Sequence, residues 1–424
     1  MEKQARKKMT ASGLLLALCW MAYTCSLIGK VNYSASITQV EAFFGVSHAE
    51  AGMVSTFYFF AYGAGQIING LFCKKYYIKY MVFGSLFVSG VINLIVGLTN
   101  NFAVIKWLWL INGLSLSILW PSLIRLLSET FSKRRMVTAS VIIGTTTATG
   151  TFITYGLGSL YAALGVFRFS FYTAAVVLPL GALVWLCSFS KLTKKAKVEV
   201  EKEDEEDGVV VLQAQSAENA QGKVKMTRTI LITVLLLCLF AVATNFIKDG
   251  LTTWIPSILK EEYGLPASLS ILLTLFLPVL GIFGNLFSNK LYRFFGDFIV
   301  VVGVLFLGAT ALVGGVIASL SLRVAAITLI AFALTYFLAG SSNSTITSVF
   351  PLQMKGKINS GLIAGIINGC CYIGSTISSY GLGAVADSWG WSTVFWLLFA
   401  VSALVVVIAA VYKIIQVCHR KQEK

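Results

Sequence analysis

The sequence predicts an all-α membrane protein with twelve transmembrane helices in two pseudo-symmetric six-helix bundles. Three observations carry this prediction: 57% of the 424 residues are hydrophobic, only 12% are charged, and the hydrophobic residues form long continuous runs. Soluble domains are usually about 45–50% apolar and about 25% charged. The composition therefore excludes a soluble enzyme, a nucleic-acid-binding protein and a disordered chain. The continuous runs also argue against a membrane β-barrel, whose strands alternate apolar and polar residues.

Each predicted span holds about 20 predominantly apolar residues, the length that crosses a bilayer. The first span follows a basic stretch, but its apolar run is longer than a signal-peptide core and no A-x-A-like site closes it, so we predict a retained helix. The spans of the first half are 12–35, 50–73, 78–98, 103–128, 137–160 and 168–188. Those of the second half are 229–252, 266–289, 298–318, 324–349, 358–382 and 390–413.

One long polar stretch, with an acidic run at 201–207, separates the sixth and seventh spans. It divides the chain into an N-terminal bundle at 1–190, a charged cytoplasmic linker at 191–228 and a C-terminal bundle at 229–424. Basic loops and an aromatic–proline pair recur in both halves, the pair as Trp120-Pro121 and Phe350-Pro351. Parallel repeats of this kind are typical of secondary transporters, which bind substrate between the repeats.

The distribution of basic residues predicts the orientation of the chain. Of its 33 lysines and arginines, 26 fall on the side of the N-terminus, 4 on the opposite side and 3 within spans. By the positive-inside rule both termini lie in the cytoplasm, and we expect a plasma-membrane protein. The chain has two histidines, no C-x-x-C pair and no P-loop motif, so we expect no metal, cofactor or ATPase motor. The expected partners are the lipid bilayer and a small anion, with no nucleic acid, and the expected state is a monomer.

The three cations within predicted spans are Lys30, Arg125 and Lys248. A charge near the bilayer centre costs at least about 2.5–3.5 kcal/mol unless it faces water or a counter-ion. Lys30 and Lys248 lie at nearly the same depth in equivalent spans, which predicts that they face each other across the repeat axis. Alternatively, Lys30 lies at the outer interface, Arg125 extends to the cytoplasmic surface, and Asp249 neutralises Lys248. We expect Lys248 to remain free of Asp249, because neighbouring residues on a helix point about 100° apart.

Carboxylates are scarce among these cations, since Asp249 is the one acid predicted within a span. A cationic cavity without counter-ions predicts an anionic substrate, and the shortage of proton-relay residues favours exchange of one anion for another. No nucleophile–base constellation indicates a catalytic site. Polar and aromatic residues at helical spacing either surround the substrate or hold helices together. The predicted substrate site comprises Lys30, Lys248, Arg125, Tyr33, Tyr62, Trp120, Asn245, Asn368 and Tyr372.

Four motifs resemble those of major facilitator superfamily transporters, and most closely those of the organophosphate:phosphate antiporter family. They are W-P-S-L-I-R at 120–125, F-S-K-R-R at 131–135, G-L-T-T-W-I-P-S-I-L-K-E at 250–261 and A-D-S-W-G-W at 386–391. The resemblance covers nearly the whole chain and implies phosphate binding by a basic pair from the first and seventh helices. The seventh-helix arginine of that pair corresponds here to Lys248.

The sequence departs from the family at three other positions. The first-helix arginine falls at Gly29, beside Lys30, and the fifth-helix histidine falls near Thr146. Cys73-Lys74-Lys75 stands where an acidic residue is usual between helices two and three. Because lysine is a point charge whereas arginine can contact two phosphate oxygens, these changes keep anion selectivity but weaken the case for phosphate esters.

The resemblance implies an anion carrier that works by alternating access. We predict a secondary transporter of a phosphate ester or phosphate, acting by exchange. One alternative is a carboxylate symporter for sugar acids, as in the related anion:cation symporters that also begin near an Asn-Tyr pair, here Asn32-Tyr33. The other is an anion-binding membrane receptor of the same fold.

Overall fold

The computed structural model describes residues 10–72, 77–131, 133–206, 228–281, 283–319, 324–353 and 360–422. Over these residues the chain is α-helical, with one π-helical segment at Thr345–Val349 and no strand. The first-half helices are α1 Ala11–Ala35, α2 Ile37–Phe44, α3 His48–Phe72, α4 Ile78–Leu98, α5 Phe102–Ser117, α6 Leu119–Thr130, α7 Lys133–Ala163 and α8 Phe169–Glu206. The second-half helices are α9 Arg228–Tyr263, α10 Ala267–Thr274, α11 Phe276–Gly281, α12 Gly284–Phe295, α13 Phe298–Ser319, α14 Ala325–Ser344, α15 Phe350–Gln353 and α16 Ser360–Gln422.

The described residues of all twelve predicted spans fall on these helices, and the all-α prediction is confirmed. Eight helical stretches of the described chain are long and apolar enough to cross a membrane, and a bent pair in α10–α12 adds a ninth. One stretch, Ile363–Cys418, contains both of the last two predicted spans. The chain reverses within it at Gly390, whose φ of 76° is readily adopted only by glycine. Helices α3 and α7 are not among the eight stretches, and both carry many polar side chains.

Three prolines account for three interruptions of the helices. Proline has no N–H for the carbonyl four residues earlier, and its ring clashes with that carbonyl. Pro121 lies four residues after Ser117, where α5 ends, and Pro278 lies four residues after Thr274, where α10 ends. Pro351 likewise follows the π-helical segment. These breaks fall within the predicted fourth, eighth and tenth spans.

Each half packs around its own buried aromatic and aliphatic residues. In the first half α1 packs on α7 and α8, and α5 packs between α3 and α4. In the second half α9 and α13 both pack on α16, and α14 packs on α13. The two halves meet where α3 lies against α16 and where α7 lies against α10. The largest fully buried side chains include Trp109 and Trp185 in the first half and Trp254, Phe306 and Phe332 in the second.

Helix α8 continues beyond the predicted end of the sixth span, to Glu206, so its last part overlaps the range predicted as the linker. Ala196 is fully buried, and Glu199 accepts hydrogen bonds from the backbone N–H and the hydroxyl of Ser12, at 3.2 and 2.9 Å. Arg135 contacts the same carboxylate at 3.5 Å. Lysine and glutamate favour a helix, and residues 191–200 of α8 pack where this helix meets the starts of α1 and α7.

Several predictions fall on residues outside the described ranges. They are the remainder of the linker at 207–227 and the basic residues at 3–8, 74–75, 223–225, 323, 355–357 and 424. Cys73 lies outside them as well. The charge asymmetry that underlies the predicted orientation therefore stays a prediction from the sequence.

Candidate functional site

A cavity of about 180 Å³ lies between the two halves of the molecule. Four helices of each half line it: α1, α3, α5 and α7 from the first, and α9, α11, α14 and α16 from the second. Five of the nine predicted site residues contribute to its lining, namely Lys30, Lys248, Asn245, Asn368 and Tyr372. Both predicted lysines therefore face one space at the junction of the repeats.

Lys30 lies on the α1 wall of the cavity, over two tyrosine rings of α3. Its Nζ is 4.5 Å from the ring centroid of Tyr62 and 5.9 Å from that of Tyr58, and the two rings stack at 5.6 Å. Aromatic faces attract a cation but do not neutralise it. Among the described residues no carboxylate oxygen lies within 4.0 Å of this Nζ. Lys30 therefore presents an uncompensated positive charge to the cavity.

Lys248 lies on the α9 wall and is ion-paired. Its Nζ is 3.3 Å from Oδ1 of Asp249, whose Oδ2 accepts a hydrogen bond from the hydroxyl of Ser375 on α16. The expectation that Asp249 would leave Lys248 free is wrong. Although the two Cα–Cβ bonds diverge by about 100°, the four-carbon stem of lysine is long and flexible enough to reach its neighbour's carboxylate. The structure thus shows Lys248 neutralised by Asp249, which was the alternative interpretation of the sequence.

Side-chain amides form the polar part of the second-half wall. Asn245 donates a hydrogen bond from Nδ2 to Oδ1 of Asn343 at 3.1 Å, and the Cys371 thiol lies 3.5 Å from the same oxygen. Asn368 donates across the halves to Gln66 of α3. Asn343 was not predicted, although an amide within the apolar tenth span was a signal available in the sequence. These groups can orient the oxygen atoms of a polar ligand.

Two predicted tyrosines hold different positions. Tyr62 lies outside the cavity lining, with its ring under Lys30 and 5.0 Å from the ring of the lining residue Tyr372. Tyr33 lies outside the cavity lining, fully buried, with its hydroxyl donating to the Ala51 carbonyl at 2.9 Å. Its ring packs on Trp109 at 5.5 Å, so its position is explained by packing.

Arg125 and Trp120 also lie outside the cavity lining. Nε of Arg125 contacts a carboxylate oxygen of Glu129, one turn along α6, at 2.6 Å. The Trp120 ring packs on Tyr23 at 5.0 Å. The structure therefore does not bring these two predicted residues to the cavity, and the ion pair with Glu129 explains how the charge of Arg125 is accommodated near the end of its span.

A second polar cluster joins the halves at the end of the molecule where α1 ends and α2 lies, here called the α2 end. His48 contacts Glu41 of α2 through Nδ1 at 2.9 Å and Glu261 of α9 through Nε2 at 3.1 Å. The backbone N–H groups of His48 and Ala49 donate to the carboxylate of Asp387 on α16, at 3.0 and 2.8 Å. These contacts clamp the start of α3 to the second half.

The charges of this cluster favour a protonated imidazole. Burial lowers the pKa of His48, but the hydrogen bonds and charges of Glu261 and Glu41 outweigh burial and raise it to about 10. Burial raises the pKa of Glu41, and the nearby His48 opposes that shift. The three side chains are close enough for a metal ion, with ligand atoms within 4.8 Å. Because each imidazole nitrogen already contacts a carboxylate, a proton-bridged cluster explains the arrangement.

Residues 19–379 match the Major Facilitator Superfamily, and the chain belongs to this family. The predicted superfamily is therefore confirmed. Together with its long apolar helices, this membership makes the chain a multi-pass membrane protein.

Two solved structures share the fold over nearly the whole length. A bacterial homolog to the human lysosomal transporter Spinster, inward-facing and unoccupied, has a TM-score of 0.71 at 12% identity, covering 96% of this chain and 97% of its own. A D-xylose-proton symporter has a TM-score of 0.69 at 12% identity, covering 93% of this chain and 96% of its own. At these identities the likeness shows the fold alone.

Curated relatives match a shorter segment. The membrane sensor protein UhpC of Escherichia coli (strain K12) is 22% identical over 132 residues, which are 31% of this chain and 30% of that protein. UhpC of Salmonella typhimurium is 20% identical over 119 residues, 28% of this chain and 27% of that protein. The chain therefore matches less than a third of the length of these relatives.

Proposed function

We propose that the protein is a secondary carrier that moves a small organic anion across the plasma membrane by alternating access of its two halves. The observation that carries this proposal is Lys30, a cation that has no carboxylate partner among the described residues and that faces a cavity lined by both halves. A cation within a membrane span and without a counter-ion is costly, so an anion that enters the cavity is attracted by a charge that no described carboxylate neutralises. In this proposal the termini face the cytoplasm.

The charge balance of the cavity bears on the substrate. Lys248 and Asp249 cancel, so Lys30 leaves one net positive charge among the described lining residues. A single charge complements a monoanion such as a sugar acid better than a doubly charged phosphate ester. This balance favours the carboxylate alternative over the phosphate ester that the family resemblance implies. A sugar acid or a phosphate ester can each be exchanged for a second anion, since alternating access moves whichever anion is bound.

Counterflow in proteoliposomes tests the proposal. The purified full chain is reconstituted with gluconate, glucarate, glycerol phosphate, glucose 6-phosphate or inorganic phosphate inside, and uptake of the same labelled anion is followed. We expect accelerated uptake for at least one organic anion and none for an uncharged sugar such as glucose. Failure of every anion to exchange would contradict the carrier proposal.

A sensor is the second candidate function, because the curated relatives are named membrane sensor proteins. A sensor and a carrier can share an anion site, and they differ in whether bound anion is released on the other side. If an anion raises the melting temperature of the protein in detergent but shows no counterflow, a sensor function replaces the carrier function.

A further inference from the structure

A buried chain of amide side chains in the first half ends on the carbonyl group of Gly29, one residue before Lys30. We propose that Asn112 of α5 is a positioning residue for Lys30. By binding the Gly29 carbonyl, Asn112 fixes the turn of α1 from which the Lys30 side chain reaches the cavity. The inference rests on the proposed function, because it concerns the residue that attracts the anion.

Asn112 uses both polar atoms of its amide. Its Nδ2 donates a hydrogen bond to the carbonyl oxygen of Gly29 at 2.8 Å, and its Oδ1 accepts one from the hydroxyl of Ser89 on α4 at 2.6 Å. Asn112 and Ser89 are fully buried. Because a backbone carbonyl has two lone pairs, the Gly29 oxygen can accept this bond without losing its place in the helix. Asn112 therefore joins three helices at one point.

Two further asparagines extend the amide chain along α1. Asn93 of α4 donates to the Ser89 carbonyl at 2.9 Å, and its Oδ1 accepts a hydrogen bond from Nδ2 of Asn32 at 2.7 Å. Oδ1 of Asn32 accepts a hydrogen bond from the backbone N–H of Tyr33 at 3.0 Å. Both asparagines are fully buried, where an unpaired polar group is costly. The turn of α1 that contains Lys30 is thus held at both of its ends.

Position 29 itself faces the interior of the first half. A Cβ at Gly29 would lie 2.9 Å from Cδ1 of Leu178 and 3.1 Å from Nδ2 of Asn93, so a larger side chain would displace the amide chain. Lys30 points about 100° away around the helix and lines the cavity. The cation of α1 therefore reaches the cavity from position 30, and buried side chains fill the space beside position 29, where the family resemblance places an arginine.

The helix that carries Asn112 also sets the position of the two tyrosine rings near Lys30. A Cβ at Gly113, the next residue of α5, would lie 2.4 Å from the carbonyl oxygen of Tyr58, so α5 closely approaches the backbone of α3 there. The rings of Tyr58 and Tyr62 lie 5.9 and 4.5 Å from Nζ of Lys30. Neighbouring residues of α5 therefore hold α1 and α3, and they define the distance between the lysine and the rings.

The position of the α1 backbone matters because the Lys30 side chain has few other constraints. Attraction between a cation and a ring face extends over about 6 Å, and the lysine stem is flexible. No carboxylate oxygen of the described residues lies within 4.0 Å of its Nζ. The backbone of α1 is therefore the part of Lys30 that the fold holds in place, and Asn112 is the side chain that binds it there.

The first experiment needs no substrate. The eight native cysteines of the full-length protein are replaced by serine, Lys30→Cys is added, and the rate of reaction with a small, negatively charged methanethiosulfonate is followed by mass spectrometry. We expect Asn112→Ala to lower this rate about 3- to 10-fold, because the released turn spends part of its time facing away from the cavity. The rate at Thr252→Cys, on the opposite wall of the cavity, should stay constant.

Ser115→Ala is the matched control for loss of a hydrogen bond between helices. Ser115 lies about one turn along α5 from Asn112, and its hydroxyl donates to the carbonyl of Ser85 on α4 at 2.9 Å. Its loss weakens the same half without removing a bond to α1. We expect both variants to lower the melting temperature and only Asn112→Ala to lower the rate at Lys30→Cys. Equal rates at position 30 in the two variants would overturn the positioning role of Asn112.

The second experiment is a double-variant cycle in the native background. Calorimetry measures gluconate affinity for wild type, Asn112→Ala, Lys30→Gln and the variant that combines both changes. We expect Asn112→Ala to weaken affinity about 3- to 10-fold in wild type and to have no further effect in Lys30→Gln, because residues that act together are not additive. A general loss of structure would instead lower affinity equally in both backgrounds, and that result would overturn the inference.

Failure of this inference can be distinguished from failure of the proposed function. If gluconate binds and exchanges but Asn112→Ala changes neither its affinity nor the thiol reactivity at position 30, the positioning role is overturned and the carrier remains. If no anion binds or exchanges in wild type, the proposed function is overturned. The thiol reactivity still decides in that case whether Asn112 positions residue 30.

Discussion

Lys30 and Lys248 occupy equivalent depths in the two repeats but differ in their electrostatic surroundings. Lys30 rests on tyrosine faces, which leave its charge available, whereas Lys248 is neutralised by Asp249. Repeat symmetry predicts the positions of both lysines from the sequence, because it depends only on spacing along helices. It does not predict their charge state, which depends on how a flexible side chain turns.

Substitution of either lysine is expected to weaken anion binding. Hydrogen bonds to charged groups contribute about 1.5–3 kcal/mol, so Lys30→Gln should weaken binding of gluconate about 10- to 100-fold. Lys248→Gln should also weaken it, because Asp249 would remain as an unpaired negative charge. The double variant Lys248→Gln/Asp249→Asn restores the net charge and should recover much of the lost affinity.

Calorimetry at equal protein concentration checks these values, with Lys195→Gln on the exposed side of α8 as the control. Near-normal affinity in Lys30→Gln would contradict the central role of this lysine. A double variant as weak as Lys248→Gln alone would contradict the charge balance.

His48 is expected to hold the α2 end closed. His48→Gln removes a cation between Glu41 and Glu261 and leaves the two carboxylates facing each other. We expect amide hydrogen exchange at residues 48–49 and 383–391 to accelerate about tenfold or more, since each charged contact contributes over 1 kcal/mol. His419→Gln, a change of the other histidine, is the control. Unchanged exchange in His48→Gln would show that helix packing alone closes this end.

The stability of the closed α2 end should also depend on pH, because the proton bound to His48 stabilises the closed state. The pKa of His48 in the closed protein is about 10, above the ordinary histidine value of about 6.5. A raised pKa means that the bound proton stabilises the closed state fully below about pH 6.5, and that this stabilisation is lost as the pH rises toward 10. Exchange at residues 48–49, corrected for the intrinsic effect of pH, should therefore increase from pH 7 to pH 9 in wild type but not in His48→Gln.

At the scale of the helices, the sequence predicts where a helix lies and how long it is better than it predicts whether the helix is broken. The described parts of the twelve apolar runs all correspond to helices, because a segment that crosses lipid must be long and apolar, and both properties are visible in the sequence. The breaks after Ser117 and Thr274 were not predicted, although Pro121 and Pro278 account for them. Proline alone is an ambiguous signal, since Pro179 and Pro256 remain inside continuous helices. Whether a helix breaks depends on what packs beside the missing hydrogen bond.

The contact between α3 and α16 depends on a glycine at the α2 end. A Cβ at Gly52 would overlap the carbonyl oxygen of Ser379, so α3 would have to move away from α16. Gly52→Ala should therefore cost about 1–3 kcal/mol of stability, the range for overpacked interiors. A Cβ at Gly84 of α4 would meet no described atom within 4 Å, so Gly84→Ala should be neutral or stabilising. Melting temperatures in detergent compare the two, and equal losses would contradict the close approach.

For the molecule as a whole, composition and charge predict the class of protein and the order of its spans. The sequence could not predict where the linker begins. Residues 191–200 fall in the same polar stretch, yet they lie in a helix that packs on the first half, where Ser12 and Arg135 bind Glu199. Such a tertiary contact has no local signature. The division into repeats was predictable, because it depends on the number and order of apolar runs.

Truncation of the linker separates its packed part from the remainder. Deletion of 208–222 should leave the melting temperature and counterflow near wild-type values, since the longest apolar run of this segment, 209–212, is far too short to cross a membrane. Deletion of 194–206 removes Ala196 and Glu199 with their contacts and should lower the melting temperature by several degrees. Equal effects of the two deletions would contradict the packing of the α8 extension.

Orientation is testable with a reporter at the C-terminus. The excess of basic residues on the side of the N-terminus predicts that Lys424 lies in the cytoplasm. A fluorescent protein fused after Lys424 should therefore mature, and alkaline phosphatase at the same position should be inactive. The opposite pair of results would contradict an even number of spans beginning in the cytoplasm.

The ring contacts of His48 give the closure of the α2 end an optical consequence. Trp254 and Trp391 hold their indole rings 5.7 and 5.2 Å from the imidazole, measured between ring centroids. A protonated imidazole accepts an electron from an excited indole and so quenches its fluorescence. The fluorescence of these two tryptophans should be weak while the two halves are in contact at the α2 end and stronger once the halves separate. Opening of the α2 end should therefore raise the intrinsic tryptophan fluorescence. Stopped-flow fluorescence can measure the rate of opening without an added dye.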